Sequence, residues 1–372
     1  MQSPGHPALL NQLIHRIIDC GARLAEPGEF TRRAFLNGKL DLTQAEAVRD
    51  LIESQTLFQS RLATEQLGGS LSRLLEPIRT ELINVLSHME TALEFVDDEV
   101  EPEQRKLLQQ RLDRVQAQLS GLEEGFELGQ LVRSGIAVAI TGAPNAGKSS
   151  VFNALLKNDR ALVTSIPGTT RDAVTEMISI QGWPARLIDT AGIRAARDQV
   201  EELGIRKTLE YLASADVVLF VLDGNRPFGS EEQEIWDLVR DKGTILVVNK
   251  SDLPQKIRLP PELKTSERQR ISTSALNGDG LKDLLGAVWR EVNLTSPVEK
   301  DTFFLTSIRH YEAIVRAREW LTKGMDAYRQ GWSEEFPIHD FRKALEALGM
   351  ITGDTTVEDI LDQIFSTFCI GK

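Results

Sequence analysis

Cysteine is almost missing from this chain: Cys20 and Cys369 are the only two in 372 positions. A pair so far apart builds no disulfide framework, which points to a reducing compartment rather than a secreted scaffold. Long apolar runs are missing too. None reaches the roughly 18 residues that a bilayer-spanning helix needs, and no basic-then-apolar leader opens the chain. A cytoplasmic protein without a membrane span is expected. Positive charge is outnumbered, with 43 Lys and Arg against 55 Asp and Glu and a formal net charge of -12. That balance argues against bulk attraction to DNA or an anionic membrane, and it leaves room for a local basic patch that meets RNA.

What is present is ordinary for a globular protein: 41% hydrophobic and 26% charged residues, at a length that suits two or three domains. Three stretches differ in character. Up to about residue 134, apolar residues recur at helical spacing. One pattern runs through Ala47, Val48, Leu51, Ile52, Leu62 and Leu67, with Thr43 and Glu46 resembling a capping box at its start. Gly68-Gly69 interrupts it. A second pattern carries Leu74, Ile78, Leu82, Val85, Leu86 and Met89. A third follows Pro102 with Leu107, Leu108, Leu112, Val115 and Leu119. Such helices pack as a bundle. From 135 to about 296, short β-branched runs at 136–140, 187–188, 217–222, 245–248 and 271 alternate with helical segments. This predicts a mainly parallel, doubly wound α/β sheet, with 174–180 and 185–188 as an added antiparallel hairpin turning at Gly182-Trp183-Pro184. After 297 the pattern is helical again, through Ile308, Tyr311, Ile314, Val315 and Trp320, then Phe341, Leu345 and Leu348, then Val357, Ile360, Leu361 and Ile364. The expected architecture is an α/β domain over 135–296 inserted into a helical domain made of 39–134 and 297–372.

Gly142-Ala143-Pro144-Asn145-Ala146-Gly147-Lys148-Ser149 matches the phosphate-loop pattern in full, between a predicted strand and a predicted helix. Its glycines let successive N–H groups face phosphate oxygens, and the following helix adds its positive end. Lys148 is expected to reach the β- and γ-phosphates and Ser149 to ligate Mg²⁺, with Ser150 next in line. Three further pieces follow in order. Asp189-Thr190-Ala191-Gly192 offers a carboxylate to the Mg²⁺ sphere and a backbone that senses the γ-phosphate. Asn249-Lys250-Ser251-Asp252 offers a carboxylate that accepts both N–H groups of the guanine edge, which adenine does not supply. Ser274-Ala275-Leu276 offers a backbone N–H to the guanine oxygen. All four in this order resemble the Ras-like GTPase superfamily, with GTP as substrate. The loop Pro167-Gly168-Thr169-Thr170-Arg171-Asp172 stands where a first switch is expected, Thr170 completing the Mg²⁺ sphere. Ile193 occupies the place where Ras-like enzymes keep a water-orienting Gln, so hydrolysis needs another device.

The whole chain further resembles the MnmE (TrmE) tRNA-modification GTPases. The likeness rests on Gly168-Thr169-Thr170-Arg171-Asp172, on Gly28-Glu29-Phe30-Thr31-Arg32-Arg33-Ala34-Phe35-Leu36-Asn37-Gly38-Lys39 with Asp41-Leu42 and Gln44-Ala45-Glu46-Ala47, and on the ending Phe368-Cys369-Ile370-Gly371-Lys372. The resemblance implies potassium activation. K⁺ would be held by Asn145, Thr164, Ile166 and Thr169 and take the place of an arginine finger. It implies that Glu201 orients or activates water, that the G domains of a homodimer face each other on GTP binding, and that an MnmG-type FAD protein is the partner in carbon-5 modification of the tRNA wobble uridine. It places Cys369 near the tRNA chemistry and Lys39 and Lys372 near a tetrahydrofolate. Residues 1–38 then read as the remnant of a folate-binding, dimer-forming N-terminal domain. Without the family, Asn145 would stabilise its loop, Glu201 would open a solvated helix, Cys369 would be a small apolar residue and the two lysines would be surface charges. An assembly or regulatory GTPase without a role in tRNA chemistry is the alternative function. Arg105, Lys106 and Arg111 read as a solvated helix face, and Trp183 and Trp320 as packing residues.

Overall fold

The computed structural model describes residues 6–94, 102–159, 174–190, 209–265, 268–292, 305–355, 358–368 and 371. They fall into two compact units. One comprises Met1–Ile52, Ala63–Ser120 and Glu312–Lys372, the other Glu53–Leu62 and Gly121–Tyr311. The sheet-bearing unit thus differs from the compositional boundary at 135, because it also takes in 53–62 and 121–134.

That unit is built on one six-stranded sheet. Its strands are β1 (Ile136–Thr141), β2 (Val174–Ile180), β3 (Trp183–Asp189), β4 (Val217–Asp223), β5 (Thr244–Asn249) and β6 (Arg270–Ser272), in the order β2-β3-β1-β4-β5-β6. All neighbours are parallel except β2 and β3. Strands β1, β4 and β5 are buried along their whole length, so both faces must be apolar and the runs read as continuous rather than alternating. Period-two geometry then sorts their side chains. Val138, Ile140, Val217, Leu219, Val221, Ile245 and Val247 join one core with Val151, Phe152 and Leu155 of helix Lys148–Asp159 and Leu284 and Val288 of helix Leu281–Glu291. Ala139, Val218, Phe220, Leu222 and Leu246 join the other with Trp236 and Val239 of helix Ser230–Val239. Helices cover both faces, as a doubly wound fold requires.

The hairpin turn differs from the expected one. Gln181 and Gly182 take φ of 52° and 94°, the two left-handed residues of a tight hairpin turn, and Trp183 and Pro184 already belong to β3. Trp183 is buried, stacked on Phe58 with centroids 5.4 Å apart and edge-on to Trp289 at 5.7 Å, so it is a packing residue. The Gln59 amide donates to the carbonyls of Val132 and Arg133, closing helix Phe126–Ser134.

The helical unit packs its early and late segments on each other, as an inserted domain predicts. Helix Ser70–Glu94 lies against helix Glu335–Thr352, and Gln116 of helix Pro102–Glu124 donates to Thr322 of helix Ile308–Arg329. The buried seams are Leu71, Leu75, Ile78, Leu82, Val85 and Met89, then Leu112, Val115 and Leu119, then Ile314, Ala317, Leu321 and Met325. Leu74, Leu107 and Ile308, assigned to the core from periodicity, are exposed. The single helix expected over 43–67 is two, Leu42–Glu53 and Leu57–Leu67. The capping box also lies two residues earlier than Thr43 and Glu46. Gln44 N–H donates to Asp41 Oδ1 at 2.8 Å while Asp41 N–H donates to Gln44 Oε1 at 3.0 Å. Asp41 is the N-cap, and Ser72 Oγ donates to its other oxygen. Arg111 pairs with Glu81 at 3.5 Å. Among the described residues no helix is long and apolar enough to cross a membrane.

Candidate nucleotide site

The strand order reverses at β1, whose neighbours β3 and β4 lie on opposite sides. A crevice forms at such a switch point, beyond the carboxyl ends of the strands, and the chain turns there into the phosphate loop. Gly142 leaves β1 so close to β4 that an added Cβ would sit 2.2 Å from the Val221 carbonyl oxygen. Asn145 takes φ 62° and Gly147 φ 95°, so the loop curls back before helix Lys148–Asp159 begins. The Lys148 ammonium donates to the carbonyls of Gly142 and Ala143 at 2.9 and 2.8 Å, which holds it over the loop. One residue on, Ser149 Oγ donates to Asp189 Oδ2 at 3.0 Å. Asp189 closes β3 and is buried, and Thr190 beside it donates to the Ile140 carbonyl. A hydroxyl and a carboxylate are thereby brought together at the start of the helix, the hard oxygen donors that suit Mg²⁺.

Asn249 ties three loops together. It is buried at the end of β5; its amide donates to the Ala146 carbonyl at 3.1 Å, and its oxygen accepts from the Ala275 N–H at 3.2 Å and the Thr273 hydroxyl at 3.4 Å. The phosphate loop, the loop after β5 and the loop after β6 are fixed by one side chain. Asp252 is exposed, and its Oδ1 accepts a hydrogen bond from buried Ser274 Oγ at 2.6 Å. Lys250, at φ 63°, reaches back to the Asn145 carbonyl at 3.0 Å and to Asp223 Oδ2 at 2.6 Å. Leu276 is 84% exposed, so of Ser274-Ala275-Leu276 only the first two are packed into the site.

Asp223 is the residue that sequence reasoning passed over. The available signal was a carboxylate ending the fully buried strand β4, followed by glycine. Burial pushes its pKa up, but the hydrogen bonds from Lys250 and the Asn225 N–H, with the charges of Lys250 and Arg226, outweigh burial and hold it below the usual range. A depressed carboxylate pKa contributes stability above the unfolded pKa and loses it as pH falls through the folded one. Asp223→Asn is therefore expected to cost about 1–3 kcal/mol at neutral pH, through loss of a charge-assisted hydrogen bond. The gap to the parent should close as pH falls below about 4. Thermal unfolding of both proteins across that range checks this; a gap that stays constant with pH would rule out the ionised pair as its source.

Several expected site residues lie outside the described residues: Thr164, Ser165, Ile166, Pro167, Gly168, Thr169, Thr170, Ala191, Gly192, Ile193, Glu201, Cys369 and Lys372. Ser150 is exposed in the first turn after the loop. Lys39 is exposed, and its N–H donates to the Ala34 carbonyl at the left-handed turn through Gly38. Phe368, the residue before Cys369, is buried with Phe365 against Leu42 and Phe35, and Gly28 approaches both Phe365 and Phe368. The Gly28-to-Lys39 segment and the base of the C-terminal tail are thus one packed cluster in the helical unit.

Residues 42–369 match the family model for the MnmE helical domain, and residues 1–39 match that for the GTP-binding protein TrmE N-terminus. The tRNA modification GTPase MnmE of Koribacter versatilis (strain Ellin345) is 44% identical over 369 residues, covering 99% of this chain and 80% of that protein. Its counterpart in Geobacter metallireducens (strain ATCC 53774 / DSM 7210 / GS-15) is 42% identical, covering 100% and 81%. That of Aquifex aeolicus (strain VF5) is 40% identical, covering 99% and 81%.

Proposed function

The chain belongs to the MnmE family of tRNA modification GTPases, and from that premise we propose that it hydrolyses GTP at the loops closing β1, β3, β5 and β6 and couples that hydrolysis to modification of the tRNA wobble uridine. The observation that carries this reading is the Asn249 tie, which holds the phosphate loop and the base-reading loops in one register. Lys148 meets the β- and γ-phosphates, and Ser149 and Asp189 hold Mg²⁺, which when bound neutralises charge on the phosphates. Asp252 reads guanine. Lys250 braces the loop from beneath through Asn145.

K⁺ activation is part of the proposal. In this reading Asn145 offers its side-chain amide oxygen to the cation, while its backbone carbonyl accepts from Lys250. Thr164, Ile166 and Thr169 complete the set in this reading, Thr170 joins Mg²⁺, and Glu201 positions the attacking water. GTP turnover is expected to be at least about tenfold faster in KCl than in NaCl at equal ionic strength, since a cation beside the transferring phosphoryl group does the work of an arginine finger. Equal rates in the two salts would end the potassium mechanism and leave the GTPase reading standing.

The proposal extends to pairing of two copies through their G domains, to an MnmG-type FAD protein as partner and to Cys369 near the tRNA chemistry. Mass analysis of wobble uridines in cells whose only family member is this chain tests the tRNA role; unmodified uridines alongside active GTP turnover would favour an assembly or regulatory GTPase. Of the two candidate folate contacts, Lys39 is the one among the described residues, exposed on a turn. No one-carbon step is assigned to this chain.

A further inference from the structure

The helical unit leaves two large aromatic rings in solvent where helix Ile308–Arg329 turns into helix Glu335–Thr352. Trp332 and Phe336 are each 55% exposed, and their rings meet edge to face with centroids 5.6 Å apart. The backbone at Trp332 is held by a hydrogen-bonded helix ending. Gly331 takes φ 73° and donates to the Tyr328 carbonyl, while Trp332 N–H donates to the Ala327 carbonyl. This is the paired bonding of a Schellman ending, in which the residue after the left-handed glycine commonly packs back on its helix. Here more than half of that residue faces water.

The two rings border an open groove of about 960 Å³ whose walls carry Glu319, Asp326, Glu335 and Asp340 against Arg318 and Lys323. Asp340 is buried, with Lys323 Nζ at 3.4 Å; the same ammonium covers the Trp320 ring at 4.5 Å. With that pair cancelled, three carboxylates remain against one guanidinium. Asp326 also lies 3.6 Å from Arg329, an exposed pair of the kind that holds its partners weakly. Glu319 and Asp326 are seven residues apart on one helix, two turns or about 10.5 Å along the same face.

We propose that this groove docks a basic amphipathic helix of a partner protein. Apolar residues of that helix would cover Trp332 and Phe336, and Lys or Arg residues two turns apart would meet Glu319 and Asp326. Charge complementarity selects this occupant. The acidic walls repel RNA and free phosphates, and a second copy of a chain with net charge -12 would bring the same sign to the same face. The groove is also at the upper end of the size that small ligands fill, and it is open rather than enclosing. Preset aromatic rings are the usual anchors of such interfaces, and a cation near a ring adds to them. The inference does not depend on the GTPase reading.

The full chain is titrated, by fluorescence anisotropy, with a labelled peptide of about five helical turns, Leu on one face and Lys spaced by seven. A second peptide carries Glu in place of each Lys. The expected result is saturable binding of the Lys peptide that weakens with salt, and no binding of the Glu peptide. Trp332→Ala is expected to lower affinity at least ~10-fold, as loss of a central anchor does, and Glu319→Lys with Asp326→Lys to abolish binding, all with unchanged helicity and GTP turnover. Failure of the Lys peptide to bind, equal binding by Trp332→Ala, direct binding of a labelled RNA oligonucleotide that Trp332→Ala removes, or self-association that Trp332→Ala removes would each overturn the proposal.

Discussion

Asp252→Asn is expected to lower kcat/KM for GTP by about 10³-fold or more and to raise it for XTP, because a site built to pair with a hydrogen-bonding edge rejects a mismatch strongly. The carboxylate is held by buried Ser274, whose hydroxyl donates to Oδ1 at 2.6 Å. Guanine presents two adjacent N–H donors, and a carboxylate accepts both. An amide in its place offers one acceptor and one donor, so one guanine N–H faces an N–H. Xanthine carries a carbonyl where guanine carries its exocyclic amine, which restores the match. A fall for GTP with no gain for XTP would mean that the substitution damaged the loop rather than changed what it reads. An unchanged kcat/KM for GTP would remove Asp252 from base recognition.

The sheet and the nucleotide loops were legible in the sequence for different reasons. Strands β1, β4 and β5 are buried on both faces, so their residues had to be apolar without interruption. The loops were legible because phosphate and guanine chemistry demands particular groups at particular strand ends. Asp223 was not, since its role is to hold Lys250 and through it the Asn145 carbonyl, a second-layer function that no short motif encodes. The helical seams were only half legible. Leucine-rich helices offer more than one apolar stripe, and Leu71 with Leu75, not Leu74, faces the core because the packing partner chooses the phase. The helix start at Asp41 was missed because Thr43 and Glu46 share the spacing of the true pair, Asp41 and Gln44, and only geometry separates them.

Gly147→Ala separates conformational strain from tight packing at the phosphate loop, with Gly182→Ala as its counterpart. The two glycines have nearly the same φ, 95° and 94°. An alanine in that region costs roughly 1–2 kcal/mol at either place. Their surroundings differ. At Gly182, in the β2–β3 turn, an added Cβ meets no heavy atom within 4 Å; at Gly147 it falls 2.2 Å from Asn249 Nδ2. Asn249 would have to move, giving up its bonds to the Ala146 carbonyl and the Ala275 N–H. Leaving such buried groups unpaired costs a further ~1–3 kcal/mol each. The expected outcome is that Gly182→Ala loses only the small increment of thermal stability due to strain, while Gly147→Ala loses that increment plus the cost of the unpaired Asn249 groups, and only Gly147→Ala loses GTP affinity, by about 10²-fold or more at ~1.4 kcal/mol per decade. Nucleotide titration of the two purified variants reads the difference. If Gly182→Ala lost affinity equally, the loss would belong to general destabilisation. If Gly147→Ala bound GTP normally, the Asn249 tie between the phosphate loop and the base-reading loops would not be what holds the site in register.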